Sequence, residues 1–570
     1  MTRGSLVFVF HSHIPYCRKS GMWPFGEEWL YEAMLGSYMP FLDVLRSVPY
    51  GQGESDRSGS SSELPVSVTI GVTPILLDQL DDDYMREGFI KWTQARIKRA
   101  EDDRKRFKLI GDEALESLAG SYLDEYRHAL RTFCNDYAGD IVGALAELER
   151  RGVVEIITSA ATHGYLPLLN EDTSIRAQLA VGCETHEMRF GRPSRGIWLP
   201  ECAYRPGLEE YLEDLGLEYF FVDRHAIEGG APIGISSGDE AKEARANHAA
   251  FGDEMRGTTY KPYLVNRSNV VCMGRNERVT TQVWSSWLGY PGDGSYREFH
   301  RKDDVTGLQY WRVTGREVDL GKKEVYEREK AVLRAREHAA HFVGLVHELI
   351  NDRHETTGEH ALIVAPYDME LFGHWWYEGV LWLSETLREF SGSSTVAVSS
   401  AGELLDHHPP SENIRLPESS WGRGGRHEVW LNDETAWMWD MIHATEARIK
   451  RLAALSPATG DTDLLELLKT QALREFLLLT SSDWPFLVTE RQAEDYGARR
   501  FREHAERFDR LMDYAEGILD GEESGVSEEE IIGYLSYVSE LDNPFSGLKF
   551  SVLGRQQDYE NREKEDIEQV

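Results

Sequence analysis

Leu6-Val7-Phe8-Val9-Phe10-His11-Ser12-His13 is an unbroken apolar run that stops abruptly in polar side chains. A strand with one wet face alternates apolar and polar residues, whereas a strand covered on both faces is apolar throughout. The run therefore reads as a buried strand of a parallel sheet. Val66–Ile70, Val153–Ile157, Gly196–Leu199, Tyr219–Val222 and Ala361–Ala365 are short apolar runs of the same kind, and several also end in polar residues. Between these runs the spacing predicts long helices over Leu77–Arg106, Ala114–Arg151, Lys323–Asp352 and Glu378–Phe390. Strand and helix in alternation define an α/β architecture. A chain of 570 residues fits a barrel of parallel strands, which occupies roughly 250 to 400 residues, with one appended domain.

The character changes after about residue 400. Strand signals become scarce, and Asp433–Ala454, Asp463–Leu479, Thr489–Leu519 and Glu528–Glu540 read as helices. The expected organisation is a barrel over 1–405 with a helical insertion near 75–150, a helical domain over 406–545, and a charged, disordered tail over 555–570. The Gly/Ser-rich stretch 51–63 reads as a flexible insertion, and 227–256 is a long polar connection.

Asp and Glu total 98 against 62 Lys and Arg, a net charge of −36. Binding nucleic acid needs a basic footprint, so this balance argues against it. Such a surface suits a salt-rich cytoplasm, where screening suppresses self-repulsion, and stabilisation by molar KCl is the measurement that separates this from an ordinary acidic protein. Cys17, Cys134, Cys183, Cys202 and Cys272 form neither a C-x-x-C pair nor a dense framework, which points to a reducing, cytoplasmic setting. The N-terminus lacks a signal-peptide pattern, and no apolar run reaches membrane-spanning length.

Two apolar runs lead into acids. Trp198-Leu199-Pro200-Glu201 follows one strand, and Ala365-Pro366-Tyr367-Asp368 ends another, with Glu370, His374, Trp375 and Trp376 close behind. Residues just past strand C-termini face the ligand crevice of parallel α/β folds. Glycosidic cleavage needs two carboxyl groups flanking one bond, about 5–5.5 Å apart when configuration is retained. The member that acts as acid must keep its proton near neutral pH, which burial or a neighbouring carboxylate achieves. His11 and His13 sit at i and i+2 of a strand and point the same way, and His163 follows another strand. Two readings of the histidines stay open: ligands of a metal, or neutral imidazoles that hold sugar hydroxyls. Fifteen tryptophans, many in loop-like clusters, supply faces that stack on pyranose rings; Trp437 and Trp439, inside an apolar helix, read as packing instead.

Longer segments carry a family resemblance. His11-Ser12-His13-Ile14-Pro15-Tyr16, Ala160-Ala161-Thr162-His163-Gly164-Tyr165, Trp198 to Tyr204, Ala365 to Trp375 and Ser481-Ser482-Asp483-Trp484-Pro485-Phe486 resemble glycoside hydrolase family 57, and within it the α-1,4-glucan branching members. Further matching blocks are Trp23 to Trp29, Val283-Trp284-Ser285 and Gly289 to Asp293. The resemblance implies an incomplete (β/α)7 barrel with a helical insertion and an all-helical C-terminal domain that closes over the cleft. It implies a retaining double displacement on an α-1,4-glucan, with Glu201 as nucleophile and Asp368 as acid/base. Substrate-site roles fall on His11, His163, Trp29, Trp284, Trp421, Trp430 and Asp483, with His13 beside them, and the chemistry needs no metal or cofactor. Branching members carry an aromatic tip on a mobile loop, whereas 227–256 contains no Tyr or Trp; Arg256 stands where a Tyr is expected, and Phe251 is the nearest substitute. That departure keeps an α-glucan hydrolase or a 4-α-glucanotransferase in view. A metal-dependent polysaccharide deacetylase using His11, His13 and His163, and a non-catalytic glucan-binding regulator, are remoter alternatives.

Overall fold

The computed structural model describes residues 2–47, 66–235, 257–454, 463–520 and 526–553. The apolar runs form the expected parallel strands: Gly4–Ser12, Val68–Val72, Val154–Ser159, Gly196–Trp198, Tyr219–Val222 and Ala361–Asp368. A further parallel strand, Val271–Gly274, pairs with Tyr219–Val222. It is short and half of it is Cys272 and Met273, so its sequence carries little of the β-branched signal of its neighbours.

These strands close into a barrel. Ala361–Asp368 pairs with Gly4–Ser12 along its whole length, with Asp368 opposite His11. Parallel pairings then run through Val68–Val72, Val154–Ser159, Gly196–Trp198 and Tyr219–Val222 to Val271–Gly274. The ring shuts at one parallel bridge between Arg275 and Val364, where the Asn276 N–H donates to the Val364 carbonyl at 2.9 Å. The last junction is thus a single bridge rather than a ladder, which is the sense in which this seven-strand barrel is incomplete. Val396–Val398 wedges beside the first residues of Gly4–Ser12, at the end of the barrel away from Asp368.

Every residue of the first strand is buried, and Phe8 and Phe10 stack at 5.6 Å beneath Phe41, Tyr367 and Phe372. Burying a Phe, Leu or Val side chain contributes roughly 1.5–3 kcal/mol each, so the strands are held by their side chains before the ladder is counted. Close approach decides one glycine. A Cβ on Gly182 would lie 2.2 Å from the Ser159 carbonyl oxygen, so only glycine lets the helix Asp172–Phe190 pack on that strand.

The stretch read as an insertion is a helical hairpin, Asp83–Ile110 and Glu113–Arg131. Asp82 caps its first helix by accepting from the Met85 N–H at 3.0 Å, and Gly111 in the left-handed region ends that helix. Buried Asp103 ties the hairpin to the following loops, accepting from Arg106, Thr306 and Tyr310.

Past residue 405 the helices do not begin at once. Glu412–Arg415 is a strand, antiparallel to Ala231–Ile235 and parallel to Tyr263–Val265. Its polar sequence, Glu-Asn-Ile-Arg, hides it from an apolar-run search. The helices Ala436–Ala454, Asp463–Leu479, Glu494–Asp520 and Glu528–Leu541 follow. Wholly buried Glu475 and His504 meet at 2.7 Å, and Arg507 donates to Asp542, joining three segments of this bundle. The five cysteines form no disulfides, and no helix among the described residues is long and apolar enough to cross a membrane. The stretch 51–63, residues 236–256 of the long connection, and the 555–570 tail lie outside the described residues.

Candidate active site

At the C-terminal ends of the barrel strands the chain takes up a backbone that L-residues avoid. Glu201, Cys202 and His163 have φ of 63°, 48° and 58°. The left-handed region costs an L-residue roughly 1–2 kcal/mol. Such strain persists only where surrounding contacts over-determine it, and it clusters at functional sites.

Two strips of chain hold these residues. The segment after Glu412–Arg415 lies antiparallel to 201–204: Tyr204 and Ser419 exchange backbone hydrogen bonds of 2.8 and 2.9 Å, and the Trp421 N–H donates to the Glu201 carbonyl at 3.0 Å. From the helical region, Ser481 bridges Gly164, and the Ser482 N–H donates to the His163 carbonyl at 3.0 Å. Each strip then delivers a side chain to the same carboxylate. The Trp421 indole N–H donates to Glu201 Oε2 at 2.6 Å, and the Ser482 hydroxyl donates to Glu201 Oε1 at 3.2 Å.

The histidines gather beside Glu201. His11 Nε2 and His163 Nε2 are 3.1 Å apart, and the rings of His13 and His163 stack at 4.0 Å. His11 is also stacked on Trp198 at 4.8 Å. His13 Nδ1 meets Thr73 Oγ1 at 3.0 Å, and its Nε2 lies 3.0 Å from both oxygens of Asp483. Burial, with the neighbouring His13, pushes His11 and His163 well below the usual imidazole range, so both are neutral. Burial also pulls His13 down, but Asp483, Glu370 and Glu201 pull harder and leave it raised.

Of the four carboxyl groups gathered here, Glu201, Asp368 and Glu370 are raised. Burial is the largest cause for Glu201, with Asp483 adding to it; Trp421, His13 and Ser482 hold it back, leaving it at about 7. Asp368 stands well above the ordinary carboxylate range because of burial, then Glu370 and Glu201, against a weaker pull from Arg275. Glu370 is pushed by burial to about 7, while Tyr38 donates to its Oε1 at 2.5 Å and the His13 N–H at 3.1 Å. Trp421 and Ser482 thus favour the ionised form of Glu201, whereas burial, Glu370 and Glu201 favour the protonated form of Asp368. Environments that split two carboxyls in this way separate a base or nucleophile from an acid.

His13, His163 and Asp483 have ligand atoms close enough for a metal ion. However, His13 Nε2 and Asp483 already bond each other, and the His163 nitrogens already have partners in Ser482 and His11, so an ion would have to break these contacts. Glu475, His504 and Asp542 form a second such group, where the Arg500 and Arg507 guanidinium groups already supply positive charge.

The structure brings Glu201, Asp368, His11, His13, His163, Trp421 and Asp483 together. Trp29 packs edge-on to Tyr496 at 5.2 Å and is partly buried. Trp284 ends the helix Glu277–Trp284 and is 49% exposed. Trp430 is different. It is 1% exposed and stacked on Tyr165 at 4.4 Å, so it forms a wall behind Tyr165 rather than an open platform. Trp439 packs as read, with its N–H on the Trp430 carbonyl at 2.8 Å.

Sequence reasoning passed over Ser482, Glu370 and Arg275. Ser482 stands just before a helix and reads as an N-cap; Glu370 is masked by its aromatic neighbours. Arg275, ion-paired with Asp223, follows the strand that was missed. Trp421→Phe keeps a ring but removes the donor to Glu201 Oε2. A hydrogen bond to a charged group contributes about 1.5–3 kcal/mol, so the expected loss in kcat/KM is about one to two orders of magnitude at pH 7, measured on amylose.

Comparison with known proteins places the chain in a family. The family model for glycosyl hydrolase family 57 matches residues 7–417. The chain belongs to glycosyl hydrolase family 57. Within it, a model described as 1,4-alpha-glucan branching enzyme, C-terminal, matches residues 441–552. A 1,4-alpha-glucan branching enzyme of Thermococcus kodakarensis is 40% identical over 558 residues, 95% of this chain and 77% of that protein. The crystal structure of a branching enzyme of this family from Pyrococcus horikoshii superposes with a TM-score of 0.83 at 39% identity, covering 97% of each chain. The α-amylase AmyC of Thermotoga maritima superposes with a TM-score of 0.81 at 28% identity, covering 97% of this chain and 99% of that one.

Proposed function

We infer that this chain is a 1,4-alpha-glucan branching enzyme that works through Glu201 and Asp368. The observation that carries the chemistry is a Glu201 carboxylate with a donor on each oxygen, Trp421 and Ser482, near an Asp368 whose protonated form burial and its carboxylate neighbours favour. In the first step a Glu201 carboxylate oxygen attacks C1 of a glucosyl unit. The C1–O4 bond breaks, and Asp368 delivers its proton to the departing O4. In the second step a sugar 6-hydroxyl attacks C1, its proton passes to Asp368, and Glu201 leaves as a carboxylate. Two inversions return the α configuration, which an α-1,6 product from an α-1,4 donor requires. The steps balance with two carboxyl groups alone.

Trp284, Trp29 and Trp421 are assigned as stacking faces for the chain, and neutral His11 and His163 as neighbours of the nucleophile. The five unpaired cysteines support a reducing cytoplasm, and the branching-type C-terminal match supports a role in synthesis of a storage glucan of the glycogen type. The branching-type C-terminal match and the 40% identical relative favour transfer over hydrolysis. A second reading, α-glucan hydrolysis or α-1,4 transfer, draws on the 28% identical α-amylase and on a 227–256 segment without Tyr or Trp. Amylose treated with the enzyme separates the two. Branching shifts the iodine complex to shorter wavelength and yields short chains on debranching; reducing ends without new α-1,6 links select the second reading.

A further inference from the structure

Ser482 occupies the N-cap position of the helix Asp483–Thr489, where a serine hydroxyl ordinarily accepts from the helix. Here it makes no cap hydrogen bond. The hydroxyl is used elsewhere, and the groups around it dictate in which direction.

An ionised Glu201 only accepts, so the Ser482 proton lies on the 3.2 Å contact to Oε1. With that proton committed, the 2.8 Å contact between Ser482 Oγ and His163 Nδ1 requires His163 Nδ1–H to donate. His163 is neutral, so its Nε2 is bare and accepts from His11 Nε2–H at 3.1 Å. His11 is neutral as well, which leaves its Nδ1 bare. That nitrogen is buried without a partner, near the place a Cβ on Gly71 would occupy at 3.7 Å. The result is one directed chain of donors, His11 to His163 to Ser482 to Glu201.

We propose that Ser482 is a positioning residue for the nucleophile, its hydroxyl aimed at Glu201 by the hydrogen-bonded pair His163 and His11, so that the helical region completes the carboxylate's surroundings. The proposal rests on Glu201 being the nucleophile. The other groups facing Glu201 are Trp421 on Oε2, His163 with its Nδ1 3.8 Å from Oε1 and beyond hydrogen-bond reach, His13 and Asp483 from the histidine cluster, Asp368, and Cys202 and Tyr165. None of these replaces the donor on Oε1. Without that donor the charged carboxylate is disfavoured, and the nucleophile ionises at higher pH.

The experiment is the pH profile of kcat/KM on amylose for the full chain, native, Ser482→Ala and Ser482→Thr, with melting temperatures recorded. The alanine variant removes one oxygen atom. Its acid limb is expected to move up by about one pH unit, giving about tenfold lower activity on the acid side and convergence at high pH. The threonine variant keeps the hydroxyl and is expected to follow the native limb. An alanine variant whose acid limb coincides with the native one overturns the proposal, whatever its melting temperature. So does a folded threonine variant with the alanine limb. Labelling of the native enzyme with a fluorinated glucosyl fluoride, followed by peptide mass analysis, tests the underlying assignment separately. A label on Glu201 with an unmoved limb rejects the role of Ser482 alone; a label on another residue rejects the nucleophile assignment, and the proposal falls with it.

Discussion

Glu201→Ala is expected to lose about four orders of magnitude or more of kcat on amylose while melting close to the native temperature. The loss is large because no other group takes over its position. The carboxylate is held on a left-handed residue by Trp421 on one oxygen and Ser482 on the other. Removing it leaves a small cavity lined by those donors, matched to an anion. Azide or formate supplied in solution is expected to restore part of the activity on an activated glucosyl fluoride, with azide yielding the β-glucosyl azide. An alanine variant with native turnover would rule out Glu201 as nucleophile. Glu201→Gln tests the electrostatic side. Burial raises this carboxyl from 4.5 to about 7, so ionising it opposes folding. The sign follows: the native protein is penalised as pH rises from the unfolded value of about 4.5 through the folded value, by up to about 3 kcal/mol. The glutamine variant escapes that penalty. It is therefore expected to melt above the native protein at pH 8 and to match it below pH 4, as differential scanning calorimetry would measure.

Asp368→Asn is the second large effect, an expected loss of about 10²–10⁴-fold that depends on the leaving group. An amylose chain needs a proton on its departing O4, whereas fluoride leaves without one. The first step on an α-glucosyl fluoride should thus survive far better than turnover on amylose. The pH profile gives the sign. Native kcat/KM rises as Glu201 ionises near 7 and falls only when Asp368 loses its proton, which burial, Glu370 and Glu201 delay to well above the carboxylate range. In the asparagine variant the alkaline limb should vanish and the acid limb remain. Equal losses on fluoride and amylose, with an unchanged alkaline limb, would remove Asp368 from the acid role.

Much of this was legible in the chain. An apolar run ending in a polar residue marks a buried parallel strand and the side of the sheet that faces the ligand, so Glu201 and Asp368 stood out as strand-end acids. His11 and His13 share a face by the two-residue period of a strand, and their rings lie 6.2 Å apart and nearly parallel. Among the described residues five strands escaped: Val271–Gly274, half Cys and Met, and Glu412–Arg415, mostly polar, lack the signal, Ala231–Ile235 is broken by Pro and Gly, and Tyr263–Val265 and Val396–Val398 are only three residues long. Trp430 illustrates the opposite failure. Nothing in its local sequence distinguishes an open indole from one packed behind Tyr165.

The sequence by itself determined the long buried strands and the acids that follow them, because burial of successive side chains is written in local pattern. Only the tertiary structure decided what those acids can do. Ionisation of Glu201 is set by residues as far along the chain as Asp483, and Ser482, 281 positions away, is its most distant hydrogen-bond donor. Burial and long-range donors act through space, and a one-dimensional pattern carries no measure of that distance.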